Sequence, residues 1–183
     1  NSGQRVSLSD GVDMNRSFYK NTNRNLTFNI SNFLKESILP NVEIILDFHS
    51  GGLNRKFADM AKYYHYENKN LMEQSKKIAL AFGAPICLKH YEKNPHGMLD
   101  TLAVKLNKIY ISTELGGGGI ANKRSISIAD NGINNVFRFL KIIKNDFKYI
   151  SKISRQKSKL LYFNDVKKNF IFSKLEGVFE VNV

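Results

Sequence analysis

Ile44-Ile45-Leu46-Asp47-Phe48-His49-Ser50-Gly51-Gly52 and Ile109-Tyr110-Ile111-Ser112-Thr113-Glu114-Leu115-Gly116-Gly117-Gly118-Gly119 decide the architecture of this chain. Each is an apolar run that delivers one ionisable residue and then breaks into glycine. An open α/β sheet presents its chemistry this way, because ligands sit just beyond the carboxyl ends of the strands. A histidine and a glutamate so delivered predict a metal-assisted hydrolase, with His49 as a ligand and Glu114 as a general base.

The surrounding sequence fits that frame. Residues 1–27 are polar and turn-rich, with Ser9-Asp10-Gly11 as a turn. Ile30, Phe33, Leu34 and Leu39, closed by Pro40, predict a helix over about 28–38. Val42, Ile44, Ile45 and Leu46 predict a strand over 42–48 that is covered on both faces. Residues 50–68, rich in Gly, Asn and Tyr, are expected to form a loop. A helix over about 69–82 ends at Gly83, followed by a strand over 85–89, a loop carrying His90 and His96, and a short helix near 98–106. The strand over 108–114 then runs into the glycines. A long amphipathic helix is predicted to start after Ser125 or Ser127, with Ile128, Ile133, Val136, Phe137, Leu140 and Ile143 at three- and four-residue spacing.

Strands alternating with helices predict an α/β fold, a mostly parallel or mixed sheet flanked by helices, over residues 1–150. Leu160-Leu161-Tyr162-Phe163, Asn169-Phe170-Ile171-Phe172 and Val178-Phe179-Glu180-Val181 are β-like runs with no helix between them. They predict the start of a small C-terminal β domain over 158–183.

With 183 residues, 42% of them hydrophobic and 24% charged, the chain has the composition of an ordinary globular domain. No apolar run approaches the ~20 residues of a membrane helix, so a membrane partner is not expected. The single cysteine, Cys87, excludes an internal disulfide and fits a reducing, cytoplasmic setting; it reads as a core residue. The net charge of +12 invites a nucleic-acid reading. Its lysines are nevertheless spread throughout, and only residues 141–168 are locally dense, which suits a solvated basic face.

Asp47 lies two residues before His49, on the same side of the strand, where it can orient the imidazole. A hydrogen-bonded structural histidine is the alternative for His49, and a salt bridge is the alternative for Glu114. The glycines after Glu114 are expected to leave the site open and to let backbone approach a ligand. No Lys-Ser/Thr pair follows them at P-loop spacing. Asp13-Met14-Asn15-Arg16 sets an amide beside a guanidinium, a combination suited to gripping a carboxylate, against the alternative of an ordinary surface arginine. His65, His90 and His96 are not at ligand spacing and read as structural or solvent-facing.

In this order, Asp13-Met14-Asn15-Arg16, Asp47-Phe48-His49-Ser50-Gly51-Gly52 and Glu114-Leu115-Gly116-Gly117-Gly118-Gly119 resemble the succinylglutamate desuccinylase/aspartoacylase family of zinc carboxypeptidase-like amide hydrolases. Gly97-Met98-Leu99-Asp100-Thr101 and Ile128-Ala129-Asp130-Asn131-Gly132 resemble the branch that deacetylates N-acetyl-diaminobutyrate in ectoine breakdown. The resemblance implies a zinc cofactor, a small N-acyl amino acid substrate, and hydrolysis of its amide. His49 would be the third zinc ligand and Glu114 the base that activates water. Asn15 and Arg16 would hold the substrate α-carboxylate, and Arg5 would polarise the scissile carbonyl. The family's first two zinc ligands come from a His-x-x-Glu element upstream of the Asn-Arg motif, and no His-x-x-Glu occurs here. The chain begins at Asn1 and is expected to be the middle of such an enzyme, cut at both ends. A metal-free carboxylate-binding module and a basic nucleic-acid-binding domain are the rival readings, and the oligomeric state is not legible.

Overall fold

The structure, a computed structural model, describes residues 4–19, 24–91, 96–144 and 157–162. Its centre is a five-stranded sheet built from β1 (Ile44–His49), β2 (Lys56–Tyr64), β3 (Ile86–His90), β4 (Ile109–Gly117) and β5 (Lys159–Tyr162). The spatial order is β1-β4-β2-β3-β5. Neighbours β1/β4, β2/β3 and β3/β5 run parallel, whereas β2/β4 run antiparallel. The sheet is therefore mixed, and it is flanked by helices as the alternating pattern predicts.

Among the described residues four α-helices accompany it: α1 (Leu26–Phe33), α2 (Lys69–Phe82), α3 (Leu99–Lys105) and α4 (Lys123–Phe139). Period-two alternation sends the strands' side chains to two different environments. Ala61, Tyr63, Cys87, Ile109, Ile111 and Leu115 pack with Ile78, Phe82, Ile128 and Val136 of α2 and α4. Burying such side chains is worth roughly 1.5–3 kcal/mol each, which makes this face the main source of stability. On the opposite face Tyr64, Tyr66 and Tyr110 pack with Leu99, Ala103 and Val104, so α3 covers it. Helices α2 and α4 approach closely at Gly132, where an added Cβ would lie 2.2 Å from the Phe82 ring.

The largest departure from the sequence reading is β2, which occupies the middle of the stretch expected to be loop. The run Lys56–Tyr64 hydrogen-bonds to β3 on one side and β4 on the other, with an irregularity between Phe57 and Met60. The predicted helix over 28–38 begins two residues earlier, because Asn25 accepts the Phe28 N–H as its cap. Beyond Phe33 it widens into a π-helical turn, Leu34–Ile38. Helix α4 starts at Lys123, since Asn122 rather than a serine supplies the cap, accepting the Ser125 N–H at 2.9 Å. It stops at Phe139, before Leu140 and Ile143 of the apolar pattern.

Leu160-Leu161-Tyr162, expected to open a β domain, pairs with β3 as an edge strand of this sheet. The runs at 169–172 and 178–181, and most of the basic stretch 141–168, lie outside the described residues. The N-terminal loop is pinned to α1 by Asp10, which accepts the Thr27 N–H at 2.8 Å and its hydroxyl at 2.9 Å. Those bonds hold the Asp10 carboxyl at about 2 despite the opposing effect of desolvation. Cys87 sits in the core, where burial pushes its thiol up to about 11. Among the described residues no helix is long and apolar enough to cross a membrane.

Candidate active site

Strands β1 and β4 are parallel and in register, with Asp47 opposite Ser112 and His49 opposite Glu114. The two residues singled out by the sequence thus emerge side by side at the carboxyl ends of adjacent strands. Antiparallel β2 adds Lys62 opposite Ser112 and Met60 opposite Glu114. Asp47, Ser112 and Lys62 form one rung across three strands, and His49, Glu114 and Met60 form the next. All lie on the α3 face, beyond the tyrosines that α3 covers.

Asp47 holds the imidazole. His49 Nε2 lies 2.9 Å from Asp47 Oδ2, and the Tyr110 hydroxyl donates to the same oxygen at 2.5 Å. Burial pushes the Asp47 carboxyl up, but the His49 hydrogen bond and charge, with the Tyr110 bond, outweigh it and leave it below the ordinary value. Asp47 is therefore an acceptor, so Nε2 donates and the neutral ring leaves Nδ1 bare. The same bond raises the His49 pKa, against desolvation and with smaller help from the Asp47 and Glu114 charges. Tyr110 is pushed far above the usual phenol range by burial and by its neighbours Tyr64 and Asp47, so it stays a donor.

A raised imidazole contributes stability that is present below its unfolded pKa and lost as pH rises through the folded value. A lowered carboxyl contributes stability present above its unfolded pKa and lost as pH falls through the folded value. The Asp47–His49 pair is consequently fully stabilising between roughly pH 4 and pH 6.5. Replacing Asp47 with Asn removes the charge that favours imidazolium. In the metal-free protein the His49 titration midpoint, followed by NMR, is expected to move down; an unchanged midpoint would show that Asp47 does not govern the ring.

Glu114 is held on one side only. Lys62 Nζ donates to its Oε1 at 3.1 Å, whereas Oε2 is buried with no hydrogen-bond partner among the described residues. An orphaned buried carboxylate oxygen is costly, so it marks a place where water or a ligand is expected. The salt bridge weighed for Glu114 thus exists, yet it engages half of the carboxylate. Lys62 is missing from the sequence reading because its strand is; within Met60-Ala61-Lys62-Tyr63-Tyr64 only Ala61 and Tyr63, which face the core, hint at a strand.

The glycine loops are hydrogen-bonded to one another. Gly51 N–H donates to Gly116 O at 3.2 Å, Gly118 N–H to Arg55 O at 2.9 Å, and Gly119 N–H to Gly52 O at 2.8 Å. The close backbone approach is loop to loop, and it ties the exits of β1 and β4 together.

Arg5, Asn15 and Arg16 form a separate group. Arg5 Nε donates to Asp13 Oδ2 at 2.8 Å, and Asp13 Oδ1 accepts the Asn15 N–H at the start of a 3₁₀ turn, Met14–Arg16. Asn15 Oδ1 accepts the Leu99 N–H at 2.9 Å, fixing the motif on α3 and leaving the Asn15 Nδ2 amide as the outward donor. Arg16 Nη1 donates to the Asn15 carbonyl at 2.6 Å. No side-chain hydrogen bond among the described residues joins this group to His49 and Glu114. A cavity of about 850 Å³ beside it, lined by Phe18, Tyr19, Lys35, His96, Met98 and Lys105, takes in neither of them. The His96 ring packs 4.8 Å from Tyr19. The rings of His65 and His90 pack against Tyr91 and Tyr64 respectively.

A catalytic zinc takes three protein ligands. Among the described residues no three His, Cys, Asp or Glu side chains come together to hold a metal. His49 offers one nitrogen, while Asp47 Oδ2 is already engaged twice. The described residues alone do not complete a three-ligand zinc site.

Residues 1–140 match the family model of the succinylglutamate desuccinylase/aspartoacylase catalytic domain. The chain belongs to this family. It is 32% identical over 133 residues to N-alpha-acetyl-L-2,4-diaminobutyric acid deacetylase of Halomonas elongata, covering 73% of this chain and 39% of that protein. A succinylglutamate desuccinylase from Silicibacter sp. TM1040 superposes with a TM-score of 0.72 at 33% identity, over 75% of this chain and 42% of that one. The product-bound ectoine utilization protein EutE of Ruegeria pomeroyi gives a TM-score of 0.79 at 30% identity, over 90% of this chain and 48% of that one. The chain thus spans about two fifths of the length of the curated relative and less than half of either solved one.

Proposed function

We propose that this chain carries part of the active site of a zinc-dependent deacylase that cleaves the amide of a small N-acyl amino acid. The observation that carries the reading is the bare Oε2 of Glu114 beside His49 at the ends of two parallel strands. The substrate class comes from the relatives' names, N-acetyl-diaminobutyrate being the first to test. Zinc enters through the family and the free Nδ1 of His49.

Glu114 takes a proton from the attacking water at Oε2 and passes it to the leaving amine. Asp47 and Tyr110 keep the His49 ring in one orientation. Asn15 Nδ2 and the Arg16 guanidinium hold the substrate carboxylate, and Arg5 swings from Asp13 to polarise the carbonyl. Arg5 has the freedom this needs, its side chain being 63% exposed. The single cysteine, a buried thiol, accords with a cytoplasmic enzyme.

The test is acetate release from N-acetyl-diaminobutyrate by the full-length protein, before and after dialysis against a chelator. Activity is expected to disappear on dialysis and return with zinc. Carboxylate binding by calorimetry that needs no metal, without any acetate release, would instead favour a metal-free binding module.

A further inference from the structure

We propose that Lys62 is a positioning residue of the amide-cleaving site: it holds one oxygen of Glu114 so that the other faces the reacting water. The inference rests on Glu114 acting as the base. Lys62 reaches the site because β2 runs antiparallel between β4 and β3, which places it one rung behind Glu114 and within diagonal reach of it. Its Nζ lies 3.1 Å from Oε1, with only 14% of the lysine side chain and 17% of the glutamate exposed.

A purely structural ion pair explains this geometry poorly. Buried pairs contribute little net stability unless the remaining lone pairs are also satisfied, and Oε2 is left without a partner. A point-charge ammonium restrains one oxygen, whereas an arginine fork would occupy both. Lysine is therefore the cation that holds one carboxylate oxygen and still leaves a proton acceptor. It also balances two anions, Asp47 and Glu114, on adjacent rungs of the same face.

Lys62→Met is expected to lower kcat for N-acetyl-diaminobutyrate by about tenfold to hundredfold, the scale of a misaligned catalytic group, with KM within about twofold. A readout free of turnover accompanies it. In protein labelled with ¹³C at glutamate carboxyls, the Glu114 resonance, assigned by its loss in Glu114→Gln, is expected to move in Lys62→Met. An unmoved resonance, or a wild-type kcat, overturns the inference. If Lys62→Met does not fold, Lys62→Arg carries the test: kcat falls while the melting temperature holds, and a wild-type kcat there overturns the inference equally. Turnover surviving in Glu114→Gln defeats the general-base reading itself. An inactive Glu114→Gln beside a fully active Lys62→Met leaves that reading standing and removes Lys62 from it.

Discussion

Glu114→Gln is expected to lower turnover of N-acetyl-diaminobutyrate by about 10²–10⁴-fold, the usual contribution of a positioned general base. The substitution is nearly isosteric, and the amide oxygen can still accept from Lys62 Nζ where Oε1 does now. What is lost is the proton acceptor at Oε2, which becomes an NH₂ donor aimed at the place where water is expected. KM should change little, because the substrate carboxylate is assigned to Asn15 and Arg16. The melting temperature should fall, since the buried Lys62 ammonium keeps only a neutral acceptor where it had a carboxylate. Acetate release gives kcat and KM, and circular dichroism gives the melt. A kcat within twofold of wild type would show that another group takes the proton.

Glu114 and His49 were legible because β1 and β4 both read as near-continuous apolar runs, and an ionisable residue at the end of such a run stands out, although only β4 is buried along most of its length while β1, expected to be covered on both faces, lies half-buried at the edge of the described sheet. Lys62 was not legible for the opposite reason. Its strand alternates, carries two lysines and an aspartate, and is interrupted between Phe57 and Met60, so no clean period survives in Lys56–Tyr64. Asp13-Met14-Asn15-Arg16 showed its residue types but not its anchor, because the Leu99 N–H that Asn15 accepts lies 84 positions away in the sequence. Long-range polar contacts of this kind leave no local pattern. Helix α4 starts earlier than its serines predict for a local reason: Asn and Ser cap equally well, and Asn122 stands three residues upstream of Ser125.

The glycine run after Glu114 was the most ambiguous signal, and substitution within it separates its two readings. Gly117 has φ of 142°, and a Cβ there would meet Arg55 O at 2.0 Å and Gly51 Cα at 3.0 Å. The added Cβ meets backbone atoms, so no rotamer change relieves the clash. Arg55 O is moreover the acceptor of the Gly118 N–H. Overpacking of about 1–3 kcal/mol combines with backbone strain of about 1–3 kcal/mol. Gly117→Ala is therefore expected to destabilise by about 3 kcal/mol or more, lowering the melting temperature by roughly 6–12 °C. Gly118 is the internal control, with φ of 70° and nothing within 4 Å of its added Cβ. Gly118→Ala carries only left-handed strain, about 1 kcal/mol and roughly 2–4 °C. If the loops interlock, the first variant melts far below the second and also loses activity, because the exits of β1 and β4 that carry His49 and Glu114 are no longer held together. A ligand cradle would give the reverse pattern, with both variants melting alike and substrate binding weakened in each. Equal melting temperatures would therefore return the glycines to the ligand.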